Sequence, residues 1–427
     1  MSGANNIIHL NNQDWLDKIS LIALILSVFF LPLNMWLNNL LTLLFIGLQL
    51  ISFVKTDFKE KQKRLKQNRN LLFIFTLPFT LTVIGTIYSD NLSNAYDDIV
   101  RLAPILMLPM LFVLNPDMIR INRNAIGWVL VIGCLLSALL CWANNFYTIY
   151  NNNESFMRIL KPEYANQGLT KVLDLHASYI AILVNTSLAF IVYHLDSSKL
   201  KIKRLWLYIG FGILVLFLFH LLARTAIVTF LLAALVYIIA RKKWKILIVL
   251  LTGLTVLTVT VQSIDQNYLR DRLINSLNFF QKESQFSKKD DRFNRLKASY
   301  EVFLQHPIIG PGTADDDDFR RPIFKRNRDV IAYNQNYNAH NQFFEYLSTY
   351  GIVGAIVFIV LFYTIFAKVI RHKNYFYLFI FSAFLLASMT ESLLERTLGI
   401  VYFGLALSFL IILTTKNGLK SQHYENN

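Results

Sequence analysis

Residues 338–358 read NAHNQFFEYLSTYGIVGAIVF. The stretch opens polar, with His340, Asn341, Gln342 and Glu345, and closes in a continuous apolar run. Continued to residue 368, that run has the roughly 20 apolar residues that a helix needs to cross a bilayer. The polar head then falls at a membrane–water boundary, and the fold reading follows from it. The chain is expected to be an all-α integral membrane protein in which wet segments alternate with buried spans.

Composition agrees. The 427 residues are 55% hydrophobic and only 16% charged, where a soluble domain carries about 25% charged residues. Twelve apolar segments predict about 12 transmembrane helices, over 18–37, 38–54, 70–88, 99–114, 125–143, 174–194, 205–221, 222–240, 246–262, 346–368, 374–390 and 397–415. The first is read as a span rather than a cleaved signal, because no small-residue cleavage site follows it. Cys134 and Cys141 are two helical turns apart, about 10 Å, too far for a disulfide.

Basic residues collect in cytoplasmic loops. They are dense in KTDFKEKQKRLKQNR (55–69), at Arg120 and Arg123, in KLKIKR (199–204), in RKKWK (241–245), and at Lys368, Arg371, Lys373, Lys416 and Lys420. With twelve spans and both termini cytoplasmic, all of these fall on one side. The net charge of +15 is then a topology signal, and no nucleic-acid partner is needed to explain it. Three regions follow: spans 1–9 with short loops (1–262), a large, partly helical periplasmic loop between spans 9 and 10 (263–345), and spans 10–12 with a short cytoplasmic tail (346–427). The cytoplasmic side has no room for a nucleotide-binding domain, and no phosphate-binding glycine loop occurs. No cofactor is expected, so an enzyme of this design must take its energy from the substrate.

Ionisable residues at membrane depth are candidate functional groups. Arg224, in FLFHLLARTAIVTFLLAAL, lies between two apolar runs. It is either an anion-binding group or an interfacial arginine that snorkels to water. His220, four residues earlier, shares its face if the segment is one helix; the alternative is a satisfied interhelical histidine. His176 opens a span beside Ser178 and Tyr179, with Asp174 as a candidate cap. Arg101 reads as a helix-end anchor. In DDRFNRLKASYEVFLQHPIIGPG (290–312), Phe293, Leu296, Tyr300, Phe303 and Leu304 recur at helical spacing, with Pro307, Gly310 and Gly312 ending the helix. Arg292 and Arg295 near its start form either an anion site or a solvated face. The run Asp315–Asp318 reads as a solvated turn neutralised by the arginines and lysines after it, and no metal is assigned.

A family resemblance joins these residues. His340, Asn341, nine residues, Gly351, two residues and Gly354 resemble the H-[NSQ]-x9-G-x-x-[GTY] signature of the O-antigen ligases, relatives of the Wzy-type O-antigen polymerases and the bacterial O-oligosaccharyltransferases. Arg292, Pro307, Gly310 and Gly312 resemble the loop segment of that superfamily, with Leu296 where tryptophan is common. Arg224 resembles its mid-chain arginine, with Ala-Arg in place of Ser-Arg. The resemblance implies a metal-independent glycosyltransferase of the bacterial inner (cytoplasmic) membrane, working on its periplasmic face. The donor would be a glycan on polyprenyl (undecaprenyl) diphosphate and the acceptor a hydroxyl of lipid A–core or another glycan. His340 would be the general base, the role histidine most often takes in proton transfer. Arg224 and Arg292 would hold the diphosphate, with Arg295, Asn341, His176 and His220 in supporting places. Ligase and polymerase share donor and residues and differ in acceptor. A protein hydroxyl is a third acceptor, disfavoured by the short tail. A metal-dependent lipid-linked glycosyltransferase is disfavoured by the first outer loop, PLNMWLNNL, which lacks an acidic residue. A polysaccharide flippase would not need the large loop.

Overall fold

The computed structural model describes residues 15–55, 58–195, 204–240, 242 and 292–414. The predicted span 246–262, the first part of the large loop (263–291), the basic residues of 196–203 and 243–245, and the tail from residue 415 lie outside the described residues. Among the described residues every regular element is helical. In chain order they are α1 (Trp15–Phe30), α2 (Met35–Lys55), α3 (Phe58–Phe75), α4 (Leu77–Ile87), α5 (Leu92–Leu114), α6 (Pro116–Asn151), the short α7 (Gln167–Thr170), α8 (Ala177–Leu195), α9 (Arg204–His220) and α10 (Arg224–Ala240). After the undescribed stretch come α11 (Arg292–Gln305), α12 (Asp316–Arg326), α13 (Val330–Gln335), α14 (Gln342–Arg371), α15 (Tyr375–Ser388) and α16 (Thr397–Thr414).

Five of these helices are long and apolar enough to cross a membrane: Met35–Val54, Asn122–Asn151, Ala177–Leu195, Gln342–Arg371 and Thr397–Thr414. The pair Lys59–Phe75 and Leu77–Ile87, bent by 63°, makes a sixth if it is one broken span. Among the described residues length and apolarity give five or six spans, because several predicted spans there are short helices, among them Arg204–His220 and Tyr375–Ser388. Element ends also shift. The basic loop 55–69 is largely the start of α3, and α6 runs 36 residues, through the loop predicted before span 125–143 and into the start of the one after it. The bend after α3 has a local cause. Pro78 in the first turn of α4 has no N–H to continue the ladder. The Thr76 hydroxyl turns back to the Leu72 carbonyl at 3.0 Å, a bond that bends helices.

The chain divides into two compact units, with a boundary inside α6. The first holds residues 15–31, 35–129 and 292–414. Within it α1 packs on α2 through hydrogen bonds between buried polar side chains. Ser27 meets the Thr42 hydroxyl at 2.7 Å and Asn38 donates to the Ser27 carbonyl at 2.8 Å, contacts suited to an interface where apolar burial gives no drive. Gly404 lets α16 approach α5, since a Cβ there would sit 3.0 Å from the Pro104 carbonyl oxygen. The second unit holds 32–34 and the described residues from 130 to 242. There Asn185 of α8 donates to the Ala226 carbonyl of α10 at 2.9 Å, and Cys134 and Cys141 are buried free thiols.

The segment between α11 and α14 has a core of its own, Ala298, Val302, Ile323, Phe324 and Ala332. This reverses the expected face of α11. Arg295, Ala298, Ser299 and Val302 are buried, while Phe293, Tyr300 and Leu304 point outward. Helical spacing marks an apolar stripe, but in a membrane protein it does not say which environment the stripe meets.

The turn after α11 locks into α14. At Gly351 the chain leaves helical geometry (φ 60°, ψ −150°). The amides released there donate to the turn, Ile352 N–H to the Pro307 carbonyl at 2.9 Å and Val353 N–H to Ile308 at 3.3 Å. In return Gly312 N–H donates to the Thr349 carbonyl at 3.2 Å. A broken helix at membrane depth needs such substitutes, because lipid offers no partner for a bare amide. The Gly310 and Gly351 spacing of the motif is therefore a backbone fit, with positive φ at both residues.

Candidate functional site

His340 sits immediately before α14, with φ +48°, a left-handed conformation that is uncommon outside glycine. Local bonds hold it there. The Asn338 side chain accepts from His340 N–H at 3.1 Å. Asn341 caps α14, its Oδ1 accepting from Phe343 and Phe344 N–H at 3.0 and 3.2 Å, and its Nδ2 donates to the Met389 carbonyl at 2.9 Å. The imidazole Nδ1 lies 3.1 Å from Glu391 Oε2, in the turn between α15 and α16. An ionised carboxylate only accepts, so Nδ1 carries the proton, and in the neutral imidazole the lone pair is then on Nε2. This is the arrangement of a histidine base oriented by a third group.

The polar mouth of α14 is the clamp that joins the two loops. Gln342 Oε1 accepts from Leu394 N–H at 2.6 Å. Glu345 Oε2 accepts from Ala339 N–H at 2.7 Å and from the Ser392 hydroxyl at 3.1 Å. Each residue of His340-Asn341-Gln342-x-x-Glu345 therefore ties the histidine loop to the 389–394 turn or shapes its own end of α14. Arg295 is not solvated. Its guanidinium lies 4.3 Å from the Tyr337 ring centre, and the Tyr337 ring meets the His340 ring edge-on at 5.4 Å. Arg292 opens α11 one turn earlier.

The acidic run departs most from expectation. Asp315 and Asp316 are buried. Asp315 accepts from the Ser89 hydroxyl at 3.0 Å and from the amides of Asp90 and Asn91, both at 2.9 Å, tying α12 to the start of α5. Asp316 pairs with Arg320, which is fully buried. Beside them is a polar cavity of about 270 Å³ lined by Asp97, Arg101, Asp317, Asn338, Tyr346 and Glu395, among others. Burial, then the like charges of Glu345 and Glu395, pushes Asp317 up to about 8. Burial, then Glu345, lifts Glu395 to about 7, against the pull of Arg101. Arg101 pairs with Asp98 and donates to the Glu395 carbonyl at 2.8 Å, so it anchors the 393–396 turn rather than a bare helix end. Among the described residues no group of three or more His, Cys, Asp or Glu is placed to hold a metal ion.

In the second unit, α9 ends at His220 and α10 begins at Arg224, so the two do not lie on one continuous helix. His220 uses both ring nitrogens. Trp142 Nε1–H donates to Nδ1 at 3.1 Å, and Nε2–H donates to the Ile159 carbonyl at 3.0 Å. It is a satisfied structural histidine. Asn166 completes the break, donating from its side chain to the Leu221 carbonyl at 2.7 Å. Arg224 is thereby set at the first turn of α10, exposed, where helix-start amides favour an anion. His176, not Asp174, caps α8, its Nδ1 accepting from Ser178 N–H at 3.3 Å; Asp174 is a left-handed residue ahead of it.

The described segment that carries Arg224, and the one running from Arg292 through His340 to the glycine lock, fall within a single matched stretch. Residues 209–359 match the O-antigen ligase family model. The match supports the O-antigen ligase and polymerase superfamily, whose activity is of the glycosyltransferase ligase or polymerase type. No curated protein matches the chain. Within the O-antigen ligase match, His340, Asn341, Gly351 and Gly354 keep their motif places and now have distinct jobs. His340 presents a nitrogen, Asn341 caps and clamps, and the glycines allow the break and the close packing after it. Glu391 lies outside the matched residues and was missed by sequence reasoning. Its signal is faint, one of two glutamates in TESLLER between two apolar runs.

Proposed function

We propose that the protein transfers a glycan from a polyprenyl-diphosphate carrier to an acceptor hydroxyl at the periplasmic face of the inner membrane, as an O-antigen ligase-type enzyme. The observation that carries this reading is the His340–Glu391 contact at 3.1 Å, which leaves Nε2 as a proton acceptor at the end of an apolar span. His340 Nε2 takes the proton of the acceptor hydroxyl. The acceptor oxygen bonds to the anomeric carbon, and the bond from that carbon to the diphosphate oxygen breaks with its electron pair. The lipid diphosphate leaves, and a single displacement inverts the anomeric centre. Arg224 and Arg292 are assigned the diphosphate from their motif positions, each at the start of its own helix. Charge-assisted bonds from guanidinium groups suit the developing phosphate charge, and loss of one such donor costs about 100- to 1,000-fold in rate.

The test is transfer by purified protein in nanodiscs, with a polyprenyl-diphosphate glycan donor and lipid A–core acceptor. Wild type should form product and His340→Ala should not. Equal product from both removes the base assignment. Movement of intact lipid-linked sugar across vesicles with no transfer would point to a flippase. The acceptor is read from a deletion strain. Long chains left on the carrier lipid indicate a ligase, and single repeats on lipid A–core indicate a polymerase.

A further inference from the structure

We propose that Arg320 and Glu345 are a positioning pair that sets the distance between His340 and Glu391 from behind, touching neither. The inference rests on the transferase reading above. Glu345 Oε2 accepts from Ala339 N–H at 2.7 Å and the Ser392 hydroxyl at 3.1 Å, with Arg320 Nη1 more distant at 3.5 Å. Ala339 immediately precedes His340 and Ser392 immediately follows Glu391. One carboxylate oxygen therefore grips both members of the dyad at one residue's remove. The other oxygen, Oε1, receives Arg320 Nη2 at 2.8 Å. Arg320 is fully buried and also pairs with Asp316 at the start of α12, so the interspan segment itself fixes where the Glu345 carboxylate can point.

A buried ion pair is weak evidence for stability as such, since desolvation offsets much of the attraction. Its value here is geometric. The two loops come from segments 51 residues apart, and His340 holds a left-handed backbone that its preceding amide helps to fix. If Glu345 lets go, the separation of imidazole and carboxylate is no longer set by a shared atom. Misplacement of a catalytic group by about 1 Å costs on the order of 100-fold in rate.

The experiment measures kcat and donor KM for transfer in nanodiscs, with the thermal midpoint of the same samples, for wild type, His340→Ala, Glu345→Gln, Ser392→Ala, Arg320→Met and Arg320→Lys. Glu345→Gln is expected to lower kcat by about 10- to 100-fold with donor KM within about twofold of wild type, the pattern of an interaction felt at the chemical step. Ser392→Ala leaves the ion pair in place and loosens only the Glu391 side. It is expected to lower kcat about 3- to 10-fold with an unchanged midpoint, so the proposal stays testable if Glu345→Gln does not fold. Arg320→Lys, which keeps a cation between Asp316 and Glu345, should recover at least part of the kcat lost in Arg320→Met. The pair is refuted if Ser392→Ala and folded Glu345→Gln turn over at the wild-type kcat. It is equally refuted if every loss tracks folded protein, with kcat per folded molecule unchanged. Transfer by wild type that is abolished in His340→Ala yet unaffected in Glu345→Gln removes the pair and keeps the function. Absence of transfer by wild type removes the function itself.

Discussion

Gly351→Ala is the substitution on which the account of α14 stands most openly. At φ 60° and ψ −150° the backbone lies in a region that is essentially glycine's alone, and an L-residue held there costs about 1–3 kcal/mol. Space is also lacking. A Cβ would meet the Ile308 carbonyl carbon and oxygen at 2.6 Å and the Pro307 oxygen at 2.8 Å. These are backbone atoms that cannot rotate aside. Either the turn withdraws or the helix straightens, and both routes break the Ile352 and Val353 amide bonds to it. At about 1 kcal/mol net for each bond, more where the amide is left bare, the total comes to about 3–6 kcal/mol. Scaled at roughly 2 °C per kcal/mol for a large chain, the thermal midpoint should fall by about 6–12 °C. The assay is the temperature at which half of the detergent-solubilised protein stays monodisperse in size-exclusion chromatography. Gly47→Ala is the control. It has nothing within 4 Å of the added carbon and lies inside α2, where alanine is favoured over glycine by about 0.5–1 kcal/mol. A Gly351→Ala midpoint within 1 °C (roughly 0.5 kcal/mol on the same scale) of wild type would show that the turn does not brace the break.

Glu391→Gln should lower kcat by about 100- to 10,000-fold with little change in donor KM, because an amide N–H facing Nδ1 favours the tautomer that has no lone pair on Nε2; steady-state kinetics decide it, and wild-type turnover would exclude the dyad. Asp315→Ala strands three donors around Ser89–Asn91 and should cost about 2–4 kcal/mol, read as a lower midpoint in the same chromatography assay. Asp317 at about 8 and Glu395 at about 7 lie above their ordinary 3.8 and 4.5, so the folded chain holds protons there that the unfolded chain releases. Their contribution is fully present below about pH 4 and is lost as pH rises through about 7 to 8. Thermal midpoints from pH 5.5 to 8.5 should therefore fall, and Asp317→Asn should flatten the trend; a rise with pH in wild type would contradict it.

How far the sequence could be read depends on what each feature needs. Apolar runs long enough for a bilayer are local, so most helices lie near their predicted places. The division between spans 205–221 and 222–240 matches the break between His220 and Arg224, whereas the bend at Thr76 and Pro78 was less visible, because an apolar run does not reveal where its backbone is interrupted. His340, Asn341 and the glycines are legible as a spaced pattern. Glu391 and Arg320 are not, for opposite reasons. Glu391 is remote from the histidine in sequence and carries no pattern. Arg320 lies in a charged run whose composition suggests exposure, although folding buries the arginine completely. For His220 the structure adds partners at both ring nitrogens, and for His176 a capping bond at Nδ1, neither of which the sequence displays.

The lock between the Pro307–Gly312 turn and the break in α14 also bears on exchange of parts between related enzymes. A graft that replaced the interspan segment while keeping the host's α14 would bring a new turn to an old break, with carbonyls and amides out of register. One that replaced α14 alone would separate the histidine loop from the turn that braces it. Residues 292–354 therefore need to move together, along with the 389–394 turn that Asn341, Gln342 and Glu345 hold, and chimaeras meant to change acceptor choice should be cut outside both.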